Sequence, residues 1–298
     1  MAVGAFADGS PVIVSGGTDG TVRVWRLADG TSARESLHGH DGDVPAVATA
    51  ILADGTPVVV TGGLDGTVRV WRLADGVPVG EAMRHGYIVI AVAAGKLADG
   101  TPVVVSYGNE SAFHTVRVWQ LAGGKPVGEP LVRDIRTSAI AVRALADGTP
   151  VAVEGDGGMI RVWRLPDGTP VGEPMYGSVG VKAVAVGALP DGTPVAVACG
   201  TDTRTLRVWR LADGTPVGQP LRGHNGEVLT VAVGALADGS PAIVSGGGDG
   251  TIRVWQLPEG TLLVPPLDLS HWVTEVAVSG NVIVSAAGNH IAVTQPAP

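Results

Sequence analysis

Two separate parts of the sequence hold a histidine, a hydroxyl residue, an aspartate and a tryptophan at the same spacing. In each set the Asp follows the His by 25 positions, and the Trp follows the Asp by 6. The two sets are His40, Thr61, Asp65 and Trp71, and His224, Ser245, Asp249 and Trp255. A His, a Ser and an Asp in one cluster can form the triad of a hydrolase. Because the set recurs and Thr replaces Ser in its first copy, we expect a structural role and assign no catalytic residue.

Hydrogen bonding explains why these four residue types would occur together. A buried imidazole needs partners for both nitrogens, and an indole N–H needs an acceptor. An orphaned polar group of this kind costs about 1–3 kcal/mol. The sequence therefore predicts that His40 and His224 are buried and hydrogen-bonded. No cofactor or metal site is predicted, since one Asp in each recurring Asp-Gly turn does not supply the several oxygens that calcium requires.

A second group of residues combines aromatic rings with charged groups between positions 87 and 204. Only 4% of the chain is aromatic, so this clustering favours a binding surface, where aromatic and Arg side chains supply most of the energy. The predicted binding residues are Tyr87, Tyr107, Phe113, His114, Arg133, Arg136, Tyr176 and Arg204, three of them in one expanded turn, Tyr107–His114. An enzyme would need acid, base and donor groups, for which the candidates are Glu154, Asp156, His114, Arg133 and Arg204. The alternative for the whole group is sequence drift in loops that tolerate change.

A sequence repeat places these residues on a scaffold. The pattern Val-Arg-Val-Trp, or a close variant, ends at Trp25, Trp71, Trp119, Trp163, Trp209 and Trp255, and a degraded copy ends at Thr294. Neighbouring Trp residues of the pattern are 44 to 48 positions apart, which indicates one supersecondary unit per repeat. Each unit is predicted to hold four strands, which in the sixth repeat are Val228–Leu236, Pro241–Ser245, Thr251–Leu257 and Thr261–Leu267. Val-rich strands, Asp-Gly turns and the lack of helical periodicity predict an all-β chain.

Four-stranded antiparallel units repeated in this way predict a β-propeller. Six complete repeats and the degraded seventh favour seven blades in a single domain, 1–298, rather than a linear β-solenoid with shorter coils. The seventh blade is predicted to be incomplete, with three strands at Trp272–Val278, Val282–Ser285 and His290–Thr294. Its open outer edge would be a template for a strand from a partner, a second copy or another segment of a longer protein.

The repeats resemble those of the WD40 family over nearly the whole chain. The likeness rests on Gly39-His40 and Gly223-His224, which precede predicted inner strands, and on the two four-residue sets described above. It implies a propeller in which the His, Ser or Thr, Asp and Trp side chains are joined by hydrogen bonds within a blade. Trp-Arg or Trp-Gln replaces the Trp-Asp pair of the family throughout. A weaker, compositional likeness relates Leu-Ala-Asp-Gly-Thr-Pro-Val-Gly to repeats common in actinobacterial signalling proteins.

The third to fifth repeats depart from the family pattern. The third keeps His85 without a preceding Gly. In the fourth repeat Arg133 and Glu154 stand at the His and Ser positions, and in the fifth Gly177 and Ala198 do so. We therefore expect repeats four and five to lack the hydrogen-bonded set.

Composition narrows the function classes. The 298 residues carry a net charge of −8, so binding to nucleic acid is not expected. No apolar run approaches the length of a membrane helix, and the first residues lack the pattern of a signal peptide. The single cysteine, Cys199, excludes an internal disulfide and agrees with a reducing compartment or with a cysteine-poor exported chain. Of these we expect a cytoplasmic protein.

The resemblance implies a non-catalytic binding or scaffold module for a protein or peptide partner. Its variable turns, on the side of each blade opposite the Asp-Gly turns, would form the binding face in repeats three to five. One alternative is an enzyme that acts on a small metabolite in a pocket near the propeller axis, and another is a sensor domain cut from a larger signalling protein. A deep pocket with a carboxyl of raised pKa would favour the enzyme, whereas exposed aromatic and charged residues would favour the binding module.

Overall fold

The computed structural model describes residues 1–110, 113–133, 137–176, 180–200, 204–236, 238–280, 282–288 and 290–294. Within these ranges every regular element is a β-strand, and the 26 strands form seven antiparallel sheets. The chain divides into two compact units, Met1–Arg136 with Leu165–Gly168, and Thr137–Arg164 with Thr169–Pro298. Each sheet corresponds to one predicted blade, so the all-β, seven-bladed fold class is confirmed.

The first unit holds blades one to three. Blade one consists of β1 (Ala2–Ala5), β2 (Pro11–Gly16) and β3 (Val22–Arg26). Blade two consists of β4 (Ala46–Ile51), β5 (Pro57–Gly62), β6 (Thr67–Arg72) and β7 (Met83–Arg84). Blade three consists of β8 (Ile88–Lys96), β9 (Pro102–Glu110), β10 (Phe113–Gln120) and β11 (Leu131–Arg133). In blade one, single backbone pairs of β3 with Ser32 and Leu37 take the place of a fourth strand.

The second unit holds blades four to seven. Blade four consists of β12 (Thr137–Ala144), β13 (Pro150–Asp156), β14 (Met159–Arg164) and β15 (Met175–Tyr176). Blade five consists of β16 (Val181–Ala188), β17 (Pro194–Gly200), β18 (Thr205–Arg210) and β19 (Leu221–Arg222). Blade six consists of β20 (Val228–Ala235), β21 (Pro241–Gly247), β22 (Thr251–Gln256) and β23 (Leu267–Asp268). Blade seven has three strands within the described residues, as predicted, and they are β24 (Val273–Ser279), β25 (Val282–Ala287) and β26 (His290–Thr294).

The fourth strands are shorter than the sequence predicts. In blade six the expected strand Thr261–Leu267 is reduced to β23, which begins at Leu267, and one isolated pair of Trp255 with Leu262. Pro265 and Pro266 lie between the two contacts. Proline has no N–H to donate to the ladder, so it interrupts the pairing there.

The Asp-Gly turns are closed by local hydrogen bonds. In the β4–β5 turn, Asp54 Oδ1 accepts the backbone N–H of Thr56 at 2.9 Å. Gly55 follows with a φ of 86°, a left-handed conformation that favours glycine. Such a turn satisfies its own polar groups, which explains why it recurs with little change.

The tryptophan of each complete repeat packs onto the preceding blade wherever both lie in one unit. Trp119 of β10 lies in one cluster with Val58 and Val60 of blade two. Trp255 of β22 lies with Val195 and Val197 of blade five in the same way. The second strands are therefore covered on both faces, and their valines are fully buried because Val packs well on a pleated surface.

Candidate functional site

In blade two, His40, Thr61, Asp65 and Trp71 form a continuous chain of hydrogen bonds. The indole Nε1–H of Trp71 donates to Thr61 Oγ1 at 2.9 Å. Thr61 Oγ1 lies 2.7 Å from His40 Nε2, and His40 Nδ1 lies 3.0 Å from Asp65 Oδ2. Because the carboxylate can only accept, Nδ1 carries the imidazole proton, and Nε2 accepts the hydroxyl proton of Thr61.

Blade six repeats this arrangement with serine in place of threonine. Trp255 Nε1–H donates to Ser245 Oγ at 2.9 Å, and Ser245 Oγ lies 2.8 Å from His224 Nε2. His224 Nδ1 lies 3.1 Å from the Asp249 carboxylate. The sequence spacing thus brings together both predicted sets.

The histidines of these sets are neutral at pH 7. Burial lowers the pKa of His224, and this effect exceeds the raising effect of the hydrogen bond to Asp249. Burial alone would raise the pKa of Asp249, but hydrogen bonds from Asn225, Thr251 and His224 bring that pKa down to about 2. A neutral imidazole beside an ionised carboxylate resembles the orienting half of a hydrolase triad. However, Ser245 is fully buried and already accepts an indole N–H, so it cannot reach a substrate.

Blade three contains a variant of the network that the sequence analysis did not identify. His85 Nδ1 lies 2.8 Å from Ser106 Oγ, which also accepts the Trp119 Nε1–H at 2.8 Å. The second imidazole nitrogen lies 2.9 Å from Thr115 Oγ1, so a hydroxyl replaces the aspartate. Burial, with a smaller contribution from the charge of Arg117, lowers the pKa of His85 to about 4. The signal was present in the sequence, since Ser106 follows His85 by 21 positions, as Thr61 follows His40.

Blades four and five place different side chains at the serine position. Glu154 of β13 opposes Arg161, as Ser245 opposes Arg253, and its side chain is buried. Ala198 holds the same place in β17 and is also buried. Gly177, predicted at the His position of the fifth repeat, lies outside the described residues.

Three of the predicted binding residues are exposed aromatic side chains. Tyr87 is 67% exposed and Phe113 is 58% exposed, both in blade three. Tyr176, in blade four, is 68% exposed. Arg204 is exposed too, in a left-handed backbone conformation with a φ of 48° that is uncommon outside glycine.

Tyr87 and Phe113 approach the same end of β9. The N–H of Tyr87 donates to the carbonyl of Asn109 at 3.0 Å, and Phe113 opposes Glu110 in the β9–β10 ladder. The Glu110 carboxylate forms an ion pair with Arg117 at 2.7 Å. Two exposed rings therefore flank the end of β9, where Glu110 carries a partly exposed carboxylate. We call Tyr87, Glu110 and Phe113 the aromatic patch.

Tyr107 occupies a different place from the one expected for a contact residue. Its side chain is fully buried, and its ring stacks on His114 with centroids 5.7 Å apart and planes at 20°. The expected turn Tyr107–His114 is largely strand, because β9 continues to Glu110 and β10 starts at Phe113. Tyr107 packs against the half-buried His114, but it is too deeply buried to contact a partner itself.

Two predicted residues cannot be assigned a side-chain position. Arg136 lies outside the described residues. Arg133 is described as the last residue of β11, opposite His114, but its side chain lies outside the described part. One exposed aromatic residue was missed, since Trp272, which directly precedes β24, is 69% exposed. Its distinguishing signal was that it is the one Trp of the chain outside the Val-Arg-Val-Trp pattern.

Two cavities within the described residues contain none of the candidate catalytic residues. Asp156 is buried and forms an ion pair with Arg161 inside blade four. A cavity of about 370 Å³ in the first unit is lined by Phe6, Ile51 and neighbouring apolar residues, and one of about 340 Å³ in the second unit by Arg143, Pro190 and others. Neither of these two cavities includes any of the five candidates. Across the described residues, no three His, Cys, Asp or Glu side chains are grouped so that they could hold a metal ion.

Cys199 is a buried free thiol in β17. Its Sγ lies 3.8 Å from the carbonyl oxygen of Ala183, and burial raises its pKa to about 12. A thiol with so high a pKa is almost entirely protonated at neutral pH, which makes it a poor nucleophile. Within the described residues, no helix is long and apolar enough to cross a membrane.

Comparison with known proteins agrees with the geometry of the blades. The family model of the WD domain, G-beta repeat, matches residues 2–26, 32–72 and 214–256. These ranges cover β1 to β3 of blade one, β4 to β6 of blade two, β19 of blade five and β20 to β22 of blade six. They contain all four residues of both the His40 set and the His224 set. No curated protein matches the chain. The chain thus contains WD40 repeats at the three matched places, within a fold of seven blades.

Proposed function

We propose that this protein is a non-catalytic binding module, and that the variable turns of repeats three to five contact a protein or peptide partner. The observation that carries the proposal is the exposure of Tyr87, Phe113 and Tyr176 in a chain with few aromatic residues. Large apolar rings in water have no stabilising role in the isolated blade, whereas they are the side chains that dominate protein interfaces. A small molecule is the alternative class of ligand.

The aromatic patch supports the proposal in the first unit. Its two rings stand beside the end of β9, a strand that is paired on both sides, so ordering them on binding costs little conformational entropy. The Glu110 carboxylate forms an ion pair with Arg117. Because the Glu110 side chain is 47% exposed, the carboxylate can still accept a hydrogen bond from a partner. A peptide with an apolar side chain next to an amide or a basic group would complement this combination.

The second unit contributes an independent set of exposed residues. Tyr176 ends β15, and Arg204 precedes β18, so both belong to turns opposite the Asp-Gly turns of their blades. Trp272 holds the corresponding place before β24. We include Trp272 with the predicted contact residues, because exposed Trp is the residue type most enriched at binding hot spots.

A capture experiment with matched variants tests the proposal. The immobilised chain would be compared with a Tyr87→Ala/Phe113→Ala variant and a Tyr176→Ala variant for the proteins that each retains from native cell extract. Ile51→Ala is the control, because Ile51 is 57% exposed at the Asp-Gly end of β4. We expect both the Tyr87→Ala/Phe113→Ala variant and the Tyr176→Ala variant to lose bound proteins that the control retains. Retention of the same proteins by both of these variants would contradict the proposal.

We also propose a cytoplasmic location. Cys199 is a free thiol buried in a blade, and a reducing compartment keeps such a thiol in this state without a partner cysteine. Fractionation of source cells, followed by detection with an antibody against the chain, tests this. Recovery with secreted proteins would contradict it.

A further inference from the structure

The outer edge of blade seven is open in the described part of the chain. β26 pairs with β25 from His290 to Thr294, and no described strand pairs with its other side. In blades two to six the corresponding third strand is covered by a fourth strand, and in blade one it pairs with Ser32 and Leu37. Among the described strands, β26 is therefore the one third strand whose outer edge is open.

The side chains of β26 show what this edge lacks. Thr294 opposes Ile283 as Trp255 opposes Ile243, so Ile291 and Val293 correspond to Ile252 and Val254 of blade six. Ile252 and Val254 are 0% and 1% exposed, whereas Ile291 and Val293 are 39% and 42% exposed. Two apolar positions that an outer segment helps to bury in blade six thus face water in blade seven.

The chain itself shows what kind of segment fits such an edge. In all six covered blades, the outer segment pairs with the third strand at two positions. The residue seven positions after the Trp pairs with that Trp, as Pro216 does with Trp209. An apolar residue five positions further on pairs with the residue three before the Trp, as Leu221 does with Leu206. Four of these outer segments share the sequence Pro-Val-Gly-Glu/Gln-Pro/Ala-Leu/Met, namely 78–83, 126–131, 170–175 and 216–221. In each of the four, the Val N–H donates at 2.8 Å to the carbonyl of the residue before the Trp. The equivalent acceptor in blade seven is the carbonyl of Val293.

We propose that β26 binds an extended peptide of the Pro-Val-Gly-Xaa-Pro-Leu type as the fourth, antiparallel strand of blade seven. The Val N–H of the peptide would donate to the Val293 carbonyl, and its Leu would pair with Ile291. Strand addition of this kind takes its affinity from main-chain hydrogen bonds and its specificity from alternate side chains. The site is separate from the aromatic patch and does not depend on the function proposed for the variable turns.

A labelled peptide with the sequence of residues 213–222 provides the test, because it contains the outer segment of blade five. Fluorescence anisotropy would measure its binding to the full chain. We expect saturable binding that weakens at least tenfold with Val293→Lys, since a charge at the edge opposes strand addition. Val77→Lys is the matched control, because Val77 is 45% exposed in blade two, and it should bind as the wild type does. A peptide with Val217→Pro, which lacks the donating N–H, should bind at least tenfold more weakly.

Three results would overturn the proposal. They are no saturable binding, equal binding by Val293→Lys and the wild type, and equal binding of the Val217→Pro peptide. Light scattering of the unliganded chain adds a fourth, because a dimer that Val293→Lys converts to a monomer would mean that a second copy occupies the edge. Val293 is exposed, so the variant should keep the unfolding midpoint of the wild type. If it does not, Ile291→Lys replaces it in the same assay.

Discussion

Removing one buried hydroxyl gives a direct measure of what the hydrogen-bonded set contributes to blade two. Thr61→Val keeps the shape of the side chain but removes Oγ1, which bonds both Trp71 Nε1 at 2.9 Å and His40 Nε2 at 2.7 Å. Thr61 is fully buried, and Trp71 is nearly so. The substitution therefore leaves one donor and one acceptor without partners in a place that water does not reach.

The expected cost follows from these two orphaned groups. Each buried polar group without a partner costs about 1–3 kcal/mol, so Thr61→Val should reduce the free energy of unfolding by about 2–6 kcal/mol. Thr61→Ser keeps the hydroxyl and loses one methyl group, which should cost about 1 kcal/mol. Blade six supplies the precedent, because Ser245 makes the same two bonds.

Urea unfolding followed by tryptophan fluorescence is the appropriate assay, since six of the seven Trp residues lie in the third strands of blades. The midpoint of Thr61→Val should fall well below that of Thr61→Ser, with unchanged slope. If the two variants unfold at the same urea concentration, the network contributes nothing measurable, and shape alone explains why the residues occur together.

Three further outcomes follow from the buried groups. His85 has a pKa of about 4 in the folded state, whereas the unfolded chain takes up a proton at this residue near pH 6.5. As the pH decreases from 6.5 to 4, the free energy of unfolding should therefore decrease by up to about 1.4 kcal/mol per pH unit from this group. The urea midpoint of His85→Gln should depend less on pH over this range. Tyr107→Ala should destabilise by about 3–5 kcal/mol, as for other buried aromatics, whereas Phe113→Ala should change the unfolding free energy by less than about 0.5 kcal/mol, and thermal unfolding of both would show whether burial separates them. Cys199 should resist a thiol reagent until urea unfolds the chain, and rapid labelling of the native protein would contradict its burial and raised pKa.

The blades could be predicted from the sequence because their determinants are local. The Val-Arg-Val-Trp pattern fixes the third strand, and each Asp-Gly turn closes through a bond between residues two apart, such as Thr56 N–H to Asp54. The His40 and His224 sets were found because their spacing is repeated in the sequence. These features need no knowledge of the neighbouring blade.

The candidate site was harder to predict because exposure is set by strand length and register. An expanded turn at Tyr107 implied a solvated ring, but β9 continues past it and buries the side chain. The network of His85 was missed because Thr115 replaces the aspartate, and a partner 30 positions away has no fixed spacing signature. Trp272 was missed because it lies outside the stretch from 87 to 204 that holds the predicted group, and because the sequence analysis placed it at the start of a strand, Trp272–Val278.

The short outer strands have a consequence for how each blade opens. β7 and β19 each hold their blade through two residue pairs, whereas β13 and β17 are buried along their whole length. Local unfolding begins where few buried contacts must be broken, so the outer segments should detach transiently while the inner three strands stay paired. Amide hydrogen exchange would then show a gradient across each of blades two to six, fastest in the outer segment and slowest in the second strand. A protease that needs an extended substrate would cut first at the Pro-Val-Gly segments and leave the remaining ladder intact.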